Sequence, residues 1–580
     1  MLKKIMMFIL VALTLNFTAC SCNEDKVNDT RKDLKEFYGY SEISGKDTYI
    51  VVCDGNKLGM GFKEDGKVYV PYTEYRKNID NKCYIDKNEN MFIYTTANNI
   101  YDSYVGGSEY TDIDGNSSVY DVQPSLEVNG EYYVCLDFVK EMGKKVEYKL
   151  VEEPNRIVVT SIFENKVASA TKDTELRIDA SDRTDILTSV KEGDKLIFVE
   201  EKEEYTLVTN SDGVTGYILT SAVGDFEANV IDRAEKPDEY SHFVMDEKVC
   251  LGWHQMEYAS GNDKLGELIR DAEPLNVISP TWYKLLDENG NIESLSDANY
   301  VKKAHDKGIE VWALISDFVY NDNDEFMITN VISHTTSRRN LIKNLMEDVK
   351  ENDIDGINVD FECIGIAVAD DYVEFICELS VFCRKENIVL SVDMYVPTSF
   401  NEYYNRETVL EVADYLMVMG YDEHWSGGDS AGSVASLPYV EKGIVDTIAS
   451  GDSNRVVNAI PFYTRIWSET PVEFAEDGSH IVEDNVKGSY ALDSRAVGLG
   501  TAEKELDKLG INKFWVEDLS QYYAEYEDGN SLMRVWLEEE KSIGAKLDVM
   551  KKHNVGGVAC WRLGLEEDWV WDLISKYVNE

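Results

Sequence analysis

The run Asp355-Gly356-Ile357-Asn358-Val359-Asp360-Phe361-Glu362 holds the residue types and spacing best suited to chemistry. Side chains alternate along an extended strand, so Asn358, Asp360 and Glu362 share one face while Ile357, Val359 and Phe361 share the other. Burying three polar groups in a row is costly unless they are hydrogen-bonded, which favours a working site over a packing surface. Residues two apart on a strand have Cα atoms about 6.5 Å apart on the same side, so Asp360 and Glu362 approach a substrate from one direction. One can serve as a general acid while the other orients and stabilises developing charge. In a chain with 109 acidic residues the acid-x-acid spacing is common by chance. Position must therefore carry the argument.

The elements around this run supply that position. From about residue 246 the pattern alternates strands with helices, and eight strands are expected at 249–253, 275–283, 310–316, 356–362, 389–396, 415–421, 456–462 and 557–563. Leu341, Ile342, Leu345, Met346 and Val349 form an apolar stripe at helical spacing before the fourth strand. Tyr372, Val373, Ile376 and Leu379 form another after it. Eight strand–helix units predict an α/β fold, a (β/α)₈ TIM barrel over 246–580, whose functional residues gather at the C-terminal ends of the strands. The Tyr- and Trp-rich stretch from Tyr463 to about Glu538 reads as an insertion between strands seven and eight, beside the catalytic face.

Three further strand ends carry signals: Met419-Gly420-Tyr421-Asp422, Pro461-Phe462-Tyr463 and Gly556-Gly557-Val558-Ala559-Cys560-Trp561. With the acidic run, these four segments resemble glycoside hydrolase family 18, the chitinase-type barrels, over about 248–580. The family's fourth strand reads D-G-x-D-x-D-x-E, its sixth ends M-x-Y-D, and a tryptophan of its eighth floors the sugar site. The resemblance implies a retaining, substrate-assisted glycosidase acting on an N-acetylated glycan. Glu362 protonates the leaving oxygen, Asp360 orients and stabilises the acetamido nitrogen, and Tyr421 holds the acetamido oxygen in line. Asn358, Asp422 and Trp561 bind substrate. Asn358 stands where most of the family has aspartate, and in this it resembles the spore-associated and wall-lytic branch that cleaves peptidoglycan at N-acetylglucosamine. Asparagine cannot exchange a proton with Asp360 but can donate a permanent hydrogen bond to it. A chitinase and a non-catalytic glycan-binding surface lipoprotein are the alternatives. Retention of Glu362, Asp360 and Tyr421 together argues against a lectin. Trp253, His254 and Trp282 also lie near strand ends, where packing explains them as well as sugar contact does.

The rest of the chain bounds partners and place. A net charge of -52 repels a phosphate backbone, so nucleic acid is excluded as a partner. Lys3 and Lys4, an apolar run to Phe17 and then Thr18-Ala19-Cys20 have the proportions of a secretory signal, and residues 1–22 resemble a bacterial lipoprotein signal with Cys20 as the lipidated residue. The expectation is a protein on the outer face of a bacterial cytoplasmic membrane, with plain secretion as the alternative. After a linker (23–45), residues 46–161 show short alternating runs and turn clusters and resemble the stalk domain at the N-terminus of copper amine oxidases, with no copper site implied. Residues 162–225 resemble a bacterial SH3-like module, a candidate contact to the cell wall, and 226–245 form a second linker. With the barrel relying on its own core, removal of everything up to Asp238 is expected to leave activity on small substrates nearly intact. The cysteines show no repeated spacing and lie mostly in apolar patterns, as buried free thiols do. With neither a C-x-x-C pair nor a His/Cys cluster, no cofactor or metal is called for.

Overall fold

The structure is a computed structural model and describes residues 27–144, 146–230, 240–473 and 485–580. Cys20 and residues 231–239 of the second linker lie outside the described residues. The chain divides into two compact units.

The larger unit contains a closed eight-stranded parallel barrel: β1 (Val249–His254), β2 (Val277–Pro280), β3 (Glu310–Ser316), β4 (Gly356–Asp360), β5 (Val389–Tyr395), β6 (Tyr415–Met419), β7 (Val456–Pro461) and β8 (Gly557–Trp561). Each strand pairs with the next, and β8 pairs with β1, which closes the ring. All eight expected strands are present. The second is shorter than its apolar run, because after Pro280 the chain turns and resumes at Tyr283–Leu285 as a separate strand. The fourth ends at Asp360, leaving Glu362 just beyond the last ladder bond.

Helices α1 (Thr335–Asn352) and α2 (Ala369–Glu386) bracket β4, and the two apolar stripes face the core. Both helices stop at a polar residue in the left-handed region, Asp353 and Asn387, whose short side chains tolerate that backbone and turn the chain into the next strand. Gly356 starts β4 because a Cβ there would meet the Trp312 ring at 2.7 Å. Asp355 has a structural task beneath the site: its carboxylate accepts from the Val311 amide and bonds the His305 imidazole, both at 2.8 Å. Between β7 and β8 the chain builds an antiparallel sheet from Tyr463–Pro471, Tyr490–Gly498, Phe514–Val516, Gln521–Asp528 and Ser531–Leu537, at the place expected for the insertion.

One part of the front half behaves differently from its sequence expectation. Asp80–Pro124 groups with the described residues from Tyr240 onward and not with the rest of 46–161. Its five-strand meander (83–119) packs Tyr84, Ile93 and Ile100 against Val381 of α2. Thr95 donates to Glu374 at 2.7 Å, the Thr335 amide and hydroxyl donate to Asp86, and Arg339 pairs with Asp102 at 3.0 Å. Short strands with turn residues between them look alike whether they pack on one another or on a helix. Periodicity therefore could not assign this segment to the barrel.

The smaller unit holds the described residues through Ile79 and those from Ser125 to Val230. It contains two seven-stranded sheets. One joins Asp47–Cys53, in parallel with Arg156–Thr160, to the helix Leu136–Glu141 and its neighbours. The other, from Glu164–Ser169 to Glu227–Val230, is antiparallel around Leu176, Val190, Leu196, Val208 and Ile218. Of the eight described cysteines, six are buried.

Candidate active site

The polar face of β4 points into the barrel. Asn358 is fully buried and uses all four of its hydrogen-bonding positions. Its carbonyl oxygen accepts from Trp253 Nε1 of β1 at 2.9 Å and from Ser279 Oγ of β2 at 3.0 Å. Its amide donates to Ser391 Oγ at 3.1 Å and to Asp393 Oδ1 at 2.7 Å, both on β5. The bond anticipated from Asn358 to Asp360 is therefore absent. The strand pleat holds the two side chains at successive depths, and β5 presents a carboxylate at the depth of the asparagine.

Asp360 is buried, and its Oδ1 accepts no hydrogen bond from the described residues. Burial, reinforced by the nearby Glu362, Asp393 and Asp317, pushes its carboxyl well above the ordinary aspartate range. Glu362 is shifted upward as well, first by burial and then by Asp317 and Asp422. The Tyr395 hydroxyl lies 3.5 Å from the Glu362 carbonyl oxygen and close enough to its carboxyl to oppose that shift. A carboxyl held protonated toward neutral pH is the form a general acid needs.

Asp317, directly after β3, fixes the backbone that carries the acid. Its two oxygens accept from the Glu362 amide at 3.0 Å and the Cys363 amide at 2.7 Å. Burial outweighs these bonds and raises its carboxyl to about 6.

The strand-six and strand-eight signals converge on the same face. Tyr421 is buried beside the acids, and its hydroxyl is shifted far upward by burial, then by Asp360, Asp393 and Glu362. Gly420 precedes it where a Cβ would meet the Ala459 carbonyl at 2.7 Å. Asp422 follows in the left-handed region and accepts a hydrogen bond from the Tyr463 hydroxyl at the root of the insertion. Trp561 is half-buried at the end of β8. Its ring lies 5.8 Å from that of Trp253, edge to face, and so borders the Asn358 network.

With this geometry goes a match of the sequence model of Glycosyl hydrolases family 18 over residues 258–566, more than half of the chain. The chain belongs to glycosyl hydrolase family 18. Among its relatives, the uncharacterized glycosylase YvbX of Bacillus subtilis is 26% identical over 311 residues, covering 52% of this chain and 84% of that protein. The cortical fragment-lytic enzyme of Bacillus subtilis is 20% identical, covering 55% and 72%. The spore cortex-lytic enzyme SleL of Bacillus cereus overlays 60% of this chain and 78% of its own at 16% identity, with a TM-score of 0.49.

The family 18 barrel here thus gathers Asp360, Glu362 and Tyr421 at one face, with Asp422 and Trp561 at its border. Sequence reading missed Asp317, Asp393 and Tyr395 and gave Trp253 no role. Asp393 and Tyr395 were within reach: Ser391, Asp393 and Tyr395 alternate along β5 as Asn358, Asp360 and Glu362 do along β4. Asp317 gave no such signal, because its task is to hold backbone amides across a loop. His254 is tied to the Tyr300 hydroxyl at 2.9 Å and shifted down to about 4 by burial, with Arg562 adding to the effect, so it stays neutral. Trp282 donates to Asn262 at 2.9 Å and serves packing.

Proposed function

We propose that this family 18 barrel cleaves β-1,4 linkages at N-acetylglucosamine in peptidoglycan by a retaining, substrate-assisted route. The observation that carries the reading is the placement of Asp360 and Glu362 two residues apart on one side of the site. Neither can stand across the sugar ring from the other as acid and nucleophile. The acetamido carbonyl oxygen of the substrate then attacks the anomeric carbon as Glu362 gives its proton to the leaving oxygen. The resulting oxazolinium ion holds its ring nitrogen against Asp360, and Tyr421 steadies the acetamido oxygen. Water, deprotonated by Glu362, opens the ring and restores both the configuration and the proton. Trp561 offers its ring face as an apolar floor and Asp422 a hydroxyl partner.

Glu362→Gln is expected to keep the fold and sugar binding while turnover on a chromogenic N-acetylglucosaminide falls ~10²–10⁴-fold. A glycoside lacking the N-acetyl group should not be hydrolysed at a comparable rate, and a thiazoline mimic of the cyclised intermediate should inhibit. Rapid turnover of plain glucosides would remove the mechanism. Peptidoglycan is favoured over chitin by Asn358 and by the cortical fragment-lytic relative; mass spectrometry of digested vegetative wall, spore cortex and chitin decides among them.

The same reading places the protein on the outer face of the cytoplasmic membrane through a lipid on Cys20, with the 162–225 module toward the wall. Labelled palmitate should be incorporated, and Cys20→Ala should abolish the labelling; two acyl chains are enough for stable anchoring.

A further inference from the structure

Glu362 must hold a proton in the first step and take one from water in the second, so a protein group beside its carboxyl shifts the balance between its two forms. Such a group comes from the neighbouring strand. Tyr395 ends β5 in register with Met419 of β6, and its hydroxyl lies 3.5 Å from the Glu362 carbonyl oxygen, beyond the usual length of an O–H···O bond. The hydroxyl proton is thus weakly held there and is free to turn to the carboxyl of the same residue. The ring that carries it is fixed in place. Its backbone carbonyl accepts from Arg406 at 3.1 Å, and the ring meets Tyr404 edge to face, 6.3 Å between centres. Tyr404 packs on Tyr372 of α2 and stacks on Tyr403, whose hydroxyl donates at 2.9 Å to the Ile364 carbonyl, two residues past the acid. One tyrosine frame therefore supports both Tyr395 and the loop that begins at Glu362, while Tyr395 keeps 39% of its surface exposed. We propose that Tyr395 is a positioning residue for the acid: its hydroxyl turns from the Glu362 carbonyl to the Glu362 carboxylate as that group loses its proton, stabilising the ionised form that the first step creates and the second step uses as base. This rests on the assignment of Glu362 as the general acid.

The charged and titratable groups that face the pair come from every surrounding element. Asp317 lies at the end of β3, Asp360 on β4 and Asp393 on β5, and Tyr421 and Asp422 follow β6. Tyr372, Tyr404 and Arg406 stand behind. Burial pushes the hydroxyls of all four tyrosines upward, so Tyr395 remains a neutral donor and no phenolate competes for its place. Burial likewise raises the carboxyls of Asp360 and Asp393 well above the ordinary range. At Glu362 burial raises the carboxyl, the Tyr395 hydroxyl opposes the rise, and Asp317 and Asp422 add to it.

Tyr395→Phe removes the donor and keeps the ring that packs on Tyr404. The carboxylate form of Glu362 loses a partner that the protonated form needs less, so the alkaline limb of kcat/KM, which marks loss of the acid's proton, should move up by about 0.5–1 pH unit. The same change makes Glu362 a weaker acid. At the pH optimum, kcat/KM on an unsubstituted phenyl N-acetylglucosaminide should fall about three- to tenfold, while the 2,4-dinitrophenyl glycoside, whose leaving group needs little protonation, should be nearly unaffected. A residue that only supports the fold would lower both substrates together and leave the limb where it was. The experiment is the pH profile of kcat/KM for full-length wild type and Tyr395→Phe on both glycosides, with thermal melts to establish folding. A limb that stays or falls, or equal losses on the two glycosides, overturns the inference. Should Tyr395→Phe not fold, replacement of Tyr395 by 3,5-difluorotyrosine decides: it keeps the hydroxyl and strengthens its donation, so the limb should move down, and a limb that stays or rises is fatal. If Glu362→Gln retains full turnover, the assignment of the acid has failed instead, and the two failures are distinct.

Discussion

Asp317 shows how a residue that never needs to touch substrate can govern a site. It holds two consecutive backbone amides directly at the acid, so losing one of its oxygens as an acceptor frees an amide and lets Glu362 drift. Asp317→Asn turns an NH₂ donor toward one of two backbone amide donors and should lose about 1–3 kcal/mol of stability at low pH. Burial raises the Asp317 carboxyl from 3.8 to about 6. A carboxyl raised in the folded state favours folding least when ionised, so its contribution is intact below about pH 4 and is lost as pH rises to about 6. The stability gap between wild type and Asp317→Asn should therefore narrow across that window, by at most about 3 kcal/mol. Urea melts at pH 4 and pH 6.5 check this, and a gap that widens toward neutrality would contradict it.

At the scale of elements, the insertion is tied to the barrel by a buried polar chain. Ser433, on the loop after Asp422, donates to Gln521 of the inserted sheet, and Gln521 donates to Glu538. Glu538 is paired with Lys546 at 2.9 Å, both fully buried, and also accepts from Ser542 at 3.0 Å. The chain runs from the helix Glu540–Lys552 through the insertion to the segment that carries Tyr421 and Asp422. Breaking a buried pair by removing one partner strands the other charge, so Glu538→Ala should cost about 3–5 kcal/mol, read by chemical denaturation. Replacing both Glu538 and Lys546 by apolar residues should recover much of that loss. KM should nevertheless stay raised in the double variant, because the link to the strand-six loop is gone.

For the whole molecule, the grouping of Asp80–Pro124 with the barrel changes what can be removed. Deleting everything up to Asp238 takes away Asp86, Asp102 and Thr95, and so the partners of Thr335, Arg339 and Glu374. Glu374 is fully buried, and Glu378 is held to about 2 by Arg338 and Arg339 against its burial. Residues 240–580 alone should therefore melt well below the full chain and lose activity on warming, in place of the near-full activity expected from sequence. A variant that joins Asp80–Pro124 to 240–580 by a flexible linker should regain most of the stability. Equal melting temperatures for the two would show that the meander is dispensable.

Much was determined by the sequence itself. The eight barrel strands, the inserted segment and the face bearing Asn358, Asp360 and Glu362 all follow from hydrophobic period, since that period is fixed locally by the pleat and the helical turn. Tyr421, Asp422 and Trp561 end strands that the same period locates, but their roles came from the resemblance of those strand ends to the family. What the sequence could not decide is which residues meet across strands. Asn358 bonds Asp393, 35 positions away, and ignores Asp360, two positions away. Asp317 reaches the amides of Glu362 and Cys363 over 45 and 46 positions. The meander around Tyr84 belongs to the barrel although more than a hundred residues of other structure lie between them. Local periodicity carries the direction in which a side chain points, but its partner depends on barrel closure and strand stagger. Those are properties of the assembled ring, and only the tertiary structure contains them.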